Sequence, residues 1–160
     1  MYAADSRTCC FTGHRPNKLL RSSDAVRLEL EREILLALQD GYTRFITGMA
    51  MGVDIWAAEY LLRLRELGTS LSLICALPCP DFEARWNADW QRRYRLVLEG
   101  ADRCVTVCPT YSPSCFQLRN RWMVDRSDRL IAVYSGEAGG TRNTIAYAMA
   151  KEVPIRFIKG

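Results

Sequence analysis

Arg44-Phe45-Ile46-Thr47-Gly48-Met49-Ala50-Met51-Gly52-Val53-Asp54 holds the transition that organises the whole chain. Arg44–Thr47 is a short apolar run of strand type, and Gly48 and Gly52 loosen the backbone after it. From Val53 to Leu67, Ile55, Ala58, Leu61, Leu62 and Leu64 recur at helical spacing until Gly68 stops the pattern. A strand that feeds an amphipathic helix through a glycine-bearing loop is the unit of a parallel sheet, because parallel neighbours need a crossover connection.

The unit repeats in both directions. Further strand-like runs are Thr8–Thr12, Leu71–Leu77, Arg103–Val107, Arg129–Tyr134 and Val153–Ile158. Between them the sequence predicts helices over Ala25–Gln39, capped by Ser23 or Asp24 with Gly41 beyond its end, and over Phe82–Leu98, Phe116–Arg126 and Thr141–Lys151. Strict alternation of strand and helix predicts a Rossmann-like, doubly wound α/β fold. Its mostly parallel sheet has about six strands with helices on both faces, in one domain spanning residues 1–160. The 160 residues, 49% hydrophobic and 25% charged, fit that size, and no apolar run is long enough to span a bilayer. Without a signal-like start, the expected location is cytoplasmic.

Charge and cysteine content narrow the function classes. The formal charge is only +4, and just three of the 22 basic residues are lysines (Lys18, Lys151, Lys159). Arginine suits bidentate capture of phosphate or carboxylate, so placement matters more than number. Seven cysteines are an odd number, which argues against a disulfide framework. Cys75 and Cys104 lie inside strand-like runs and read as small core residues, so no metal site is expected.

In a doubly wound sheet, ligands bind outside the carboxyl ends of the strands, so the loops that follow strands carry the candidates. Thr12-Gly13-His14-Arg15 follows the first strand and holds the sole histidine of the chain. Gly48, Gly52 and Asp54 follow the second, where Asp54 can cap the helix or take a sugar hydroxyl. Gly139-Gly140-Thr141 opens the last helix, whose free N–H groups suit an anion. Arg119-Asn120-Arg121 lies on the preceding helix, where one arginine can face the crevice and the other solvent. Phe82 or Trp86 could cover a nucleobase. The loops lack the G-x-G-x-x-G and P-loop patterns, which disfavours ordinary dinucleotide dehydrogenases and P-loop NTPases.

Together these segments resemble the SLOG superfamily, which includes DprA (Smf) and the LOG proteins, and within it the YpsA-type branch. Thr47–Asp54 is similar to the S-G-x-A-x-G-[IV]-D signature of DprA, and Arg119-Asn120-Arg121 to its R-N-R. Thr12–Pro16, Trp56–Glu59 and Asp125–Asp128 point to the YpsA branch. The resemblance implies a nucleotide-type ligand at the strand ends, held by Thr12, Gly13, His14, Arg15, Gly48, Gly52, Asp54, Arg119, Gly139, Gly140 and Thr141, and a homodimer. No further cofactor is implied. It offers two alternatives to simple binding or sensing of such a ligand. One is LOG-like hydrolysis of nucleoside 5′-monophosphates, for which Arg119 matches the family arginine; Thr144 stands where LOG proteins carry a glutamate, leaving Glu137 and Glu59 as the carboxylate candidates. The other is DprA-like single-stranded DNA binding. Acidic residues interleaved through Glu29–Glu33, Glu59–Glu66 and Asp81–Asp89 leave no continuous basic and aromatic stripe, so a nucleic acid is the less favoured partner.

Overall fold

The computed structural model describes residues 7–160. Six strands, β1 (Arg7–Gly13), β2 (Tyr42–Thr47), β3 (Ser72–Leu77), β4 (Arg103–Thr106), β5 (Arg129–Tyr134) and β6 (Ile155–Lys159), alternate with five helices. The helices are α1 (Ser23–Gln39), α2 (Val53–Glu66), α3 (Ala88–Gly100), α4 (Cys115–Asp125) and α5 (Gly140–Ala150). Every pairing is parallel, and the order across the sheet is β4-β3-β2-β1-β5-β6. The chain therefore winds outward from β1 through β4, then returns to the other side of β1 with β5. Strand order reverses between β1 and β5, and the carboxyl ends of those two strands mark the crevice.

Alternate residues of the central strands feed two cores. Cys9, Phe11, Phe45, Leu73, Ile131 and Val133 pack under α1, α2 and α3, together with Leu30, Ile34, Ile55 and Leu61. Cys10, Ile46, Ala76, Leu130 and Ala132 face α4 and α5, against Met123, Val124, Ile145 and Ala148. The rings of Phe11 and Phe45 stack across the β1–β2 pair with centroids 6.3 Å apart. Each such side chain, fully removed from water, contributes about 1.5–3 kcal/mol.

Three local readings change. The α1 cap is Ser22, whose Oγ accepts the Ala25 N–H at 3.2 Å, one residue before the expected Ser23 or Asp24. Helix α3 starts at Ala88, not Phe82, because the Asn87 side chain caps it through the Trp90 N–H at 2.9 Å. Phe82 and Trp86 are held in the preceding turns instead, in edge-to-face contact with each other and with Tyr94. Cys104 is exposed rather than buried, since β4 is an edge strand; Cys75, one strand inward, is in the core.

Candidate functional site

A cleft of about 340 Å³ opens where strand order reverses. Its walls come from the end of β1 and the loop after it (Thr12, Gly13, His14, Arg15 and Lys18), the loop after β5 with the first turn of α5 (Glu137–Thr141), the start of α2, the aromatic turn before α3, and α4. Segments far apart in sequence meet here because the parallel winding delivers every strand's carboxyl end to one edge.

The floor is an arginine and a carboxylate. Arg119 of α4 is buried, with Nη1 donating to the Gly48 carbonyl and Nε donating to Asn120 Oδ1 at 2.8 Å. Its Nη2 makes no hydrogen bond among the described residues. Asp54 is buried in the first turn of α2, where Oδ2 accepts the Ala50 N–H at 3.2 Å and Oδ1 has no partner. Burial pushes the Asp54 carboxyl up to about 6, against the opposing pull of the Arg119 charge and the Ala50 N–H. Burial likewise pulls the Arg119 guanidinium down from its ordinary value, while Asp54 supports its charge. The cap of α2 is Gly52; Asp54 instead ties the loop through Ala50, while the Thr47 hydroxyl donates to the Asp54 carbonyl at 2.9 Å.

His14 is also buried, stacked on Tyr134 with ring centroids 5.7 Å apart, and its Nε2 has no partner. Desolvation lowers its pKa, which favours the neutral ring. At the opposite wall, Gly139 adopts φ +142°, and a Cβ on Gly139 or Gly140 would meet nothing within 4 Å. Packing does not demand glycine there. The two residues instead leave the N-terminus of α5, with its unpaired N–H groups, open to the cleft, beside the buried Thr141. Exposed Arg15 and Lys18 add positive charge at the rim, and half-buried Phe82, Trp86 and Phe116 form an aromatic wall. Phe82 lies edge-on to Phe116 at 6.4 Å.

Thr12, Gly13, His14, Arg15, Asp54, Arg119, Glu137, Gly139, Gly140 and Thr141 thus line one cleft. Gly48 and Gly52, expected to cradle the ligand, do not line it and serve packing. A Cβ on Gly48 would sit 2.9 Å from the Arg119 Cζ, and one on Gly52, at φ +92°, would sit 2.8 Å from Pro16 Cδ. Glu59 stands apart on the outer face of α2, bound through both carboxylate oxygens to Arg93 of α3. Thr144 is buried and returns its hydroxyl to the Gly140 carbonyl at 2.8 Å, an ordinary helix-internal contact. Of the arginine pair, Arg119 faces inward, while Arg121 is exposed and lies over the Tyr147 ring. Lys18 was not singled out by sequence, and Asn120 was named only as the middle of the Arg119-Asn120-Arg121 motif; Lys18 follows Pro16 on a 3-10 turn that no spacing rule announces. Among the described residues no cluster of three His, Cys, Asp or Glu side chains could hold a metal, and no helix is long and apolar enough to cross a membrane.

Comparison with known proteins fixes the family. The model of the YspA SLOG family (YpsA) matches residues 9–158. The chain belongs to that family. Relatives of this SLOG chain include a UPF0398 protein of Bacillus pumilus, 31% identical over 118 residues that span 72% of this chain and 63% of the relative. The SPbeta prophage-derived protein YoqJ of Bacillus subtilis is also 31% identical, over 76% of this chain and 81% of its own length. For the Bacillus pumilus protein, and for a UPF0398 protein of Halalkalibacterium halodurans with 62% covered, the match falls short of two thirds of the relative. Among solved structures, DNA processing protein A of Streptococcus pneumoniae superposes with a TM-score of 0.70 at 16% identity, over 97% of this chain and 51% of that one. DNA processing protein A of Helicobacter pylori, described with a single-stranded DNA binding mode, gives 0.67 at 16% identity, over 96% and 66%. The Moco carrier protein of Chlamydomonas reinhardtii gives 0.55 at 17% identity, over 96% and 76%. At such identities these structures share the SLOG chain's fold.

Proposed function

We propose that this SLOG chain binds a nucleotide or nucleotide-derived ligand in the cleft between the carboxyl ends of β1 and β5. The observation that carries the reading is the arrangement of three kinds of surface around one cavity. An open helix N-terminus and two exposed cations suit a phosphate, a buried Asp54 and Arg119 floor suits a polar sugar, and the Phe82, Trp86 and Phe116 wall suits a flat base. A solved structure of this fold described as a carrier of Moco, and another described as binding single-stranded DNA, are in keeping with it.

Binding without turnover is favoured over base release. A LOG-like reaction uses a carboxylate supplied from the helix that follows the glycines, and that position is Thr144, engaged with Gly140, while Asp54 comes from α2 instead. Glu59 is committed to Arg93 on another face, so Glu137 is the remaining one of the two candidates.

Isothermal titration against AMP, ADP-ribose and NAD tests the reading. Saturable binding of at least one is expected, with Arg15→Ala weakening it about tenfold or more, as loss of a charge-assisted phosphate contact does. Arg15 is exposed, so this variant leaves the fold intact. Absence of binding to all three at millimolar concentration contradicts the proposal.

A further inference from the structure

Among the described residues, four buried side-chain atoms lack a hydrogen-bond partner, and two of them, Asp54 Oδ1 and His14 Nε2, belong to residues that line the cleft. Neither is a matter of sparse surroundings. Asp54 and His14 are each about nine-tenths buried, and both are rigidly placed. Asp54 is pinned through Oδ2 to Ala50, and His14 is stacked on Tyr134. The residues just before them are also locked together: a Cβ on Gly13 would lie 2.7 Å from Val53 Cβ, so Gly13 packs directly on Val53. A buried polar atom left unpaired costs about 1–3 kcal/mol, and a fold that holds two of them in one cavity is built to pair them with something else.

The chemistry of the pair limits what that is. Asp54 Oδ1 in its ionised form only accepts, so its partner must donate an O–H or N–H. A phosphate oxygen carries no proton to give, and the neighbouring carboxylate would repel it. His14 Nε2, on a ring kept neutral by burial, either accepts or donates a single hydrogen bond. An acceptor-only atom and a neutral imidazole lining the same cleft are complementary to two neighbouring hydroxyls, each of which donates one proton and accepts another. The alternative donors, base amino groups, belong to the aromatic wall, where flat rings are accommodated.

Resting on the nucleotide reading above, we propose that Asp54 and His14 bind the 2′- and 3′-hydroxyls of the ligand's sugar, so that the cleft selects ribonucleotides over deoxyribonucleotides. DNA is then the wrong occupant of this cleft, whatever related folds bind. Arg119, held beside Asp54 by Gly48, acts as a positioning residue that keeps the carboxylate charged.

Titration calorimetry of the intact chain at pH 7.5 with AMP, GMP and the 2′-deoxy and 3′-deoxy forms of each decides the matter. The wild type is expected to bind the better ribonucleotide about tenfold or more tightly than either deoxy form. Asp54→Asn keeps the size of the side chain and an oxygen for Ala50, and should bring the ribonucleotide down to the affinity of its deoxy forms. Equal binding of ribo and deoxy forms by the wild type overturns this proposal and leaves the nucleotide reading standing. A tenfold preference that survives in Asp54→Asn also overturns it. No binding of any monophosphate, or of ADP-ribose, overturns the nucleotide reading itself and the proposal with it. The wild-type comparison alone suffices if the variant does not fold.

Discussion

The Arg119 guanidinium lies directly against the backbone of Gly48, donating Nη1 to its carbonyl where any side chain at residue 48 would collide with it. The loop after β2 and the helix before β5 are thereby coupled at the floor of the cleft. Glycine at 48 is required for space, since its φ is not in the positive region.

Gly48→Ala should therefore act on Arg119. The added methyl sits 2.9 Å from Cζ, and the buried guanidinium has little room to retreat. Overpacking of this kind costs about 1–3 kcal/mol, read as a lowered midpoint in urea unfolding. Nucleotide affinity should fall about tenfold or more in the same variant, because the arginine that frames the cleft is displaced. Loss of stability with unchanged affinity would separate the contact from the site.

Asp54 should leave a mark on the pH dependence of stability. Its carboxyl titrates near 6 in the folded chain against an ordinary 3.8, with the Arg119 charge facing it from α4 and the Cys10 thiol from β1. A raised acid contributes stability that is fully present below pH 3.8 and is lost as pH rises through about 6. The wild type should thus lose ground relative to Asp54→Asn across that window, by up to about 3 kcal/mol at 1.36 kcal/mol per unit. The check is the difference between the two unfolding free energies measured from pH 4 to pH 7.5. A difference that does not change with pH would mean that Asp54 titrates as an exposed carboxylate does.

Glu59→Gln should separate the outer face from the cleft. The Glu59 and Arg93 pair is partly exposed and bidentate, so its loss costs about 1 kcal/mol or less in thermal or urea unfolding. Nucleotide affinity should stay unchanged. A large loss of affinity would return Glu59 to the site.

Much of the fold was legible because it rests on local patterns. The apolar run at Arg129–Tyr134 matches β5 residue for residue, and the spacing of Ile55, Ala58 and Leu61 gives α2 from its first residue, Val53. Where the reading failed, a non-local or capping interaction overrode periodicity. Phe82 and Trp86 continue the helical spacing of Trp90 and Tyr94, yet the Asn87 cap and the aromatic cluster hold them outside α3. The site was legible as a set of loops but not as a division of labour. Nothing within the Thr47–Asp54 segment shows that Gly48 makes room for a side chain 71 residues away, that Gly52 makes room for Pro16, or that Asp54 is buried with one oxygen unpaired. Each of those facts depends on contacts that exist only once β1, β2 and β5 lie side by side.

The most direct test of the central claim is a crystal structure of the protein soaked with AMP and ADP-ribose. The account predicts ligand density between the loops after β1 and β5, with phosphate oxygens within hydrogen-bond distance of the Gly140 and Thr141 N–H groups and the base against Phe82, Trp86 or Phe116. A cleft that stays empty at millimolar nucleotide, or density seated on another face, would contradict it.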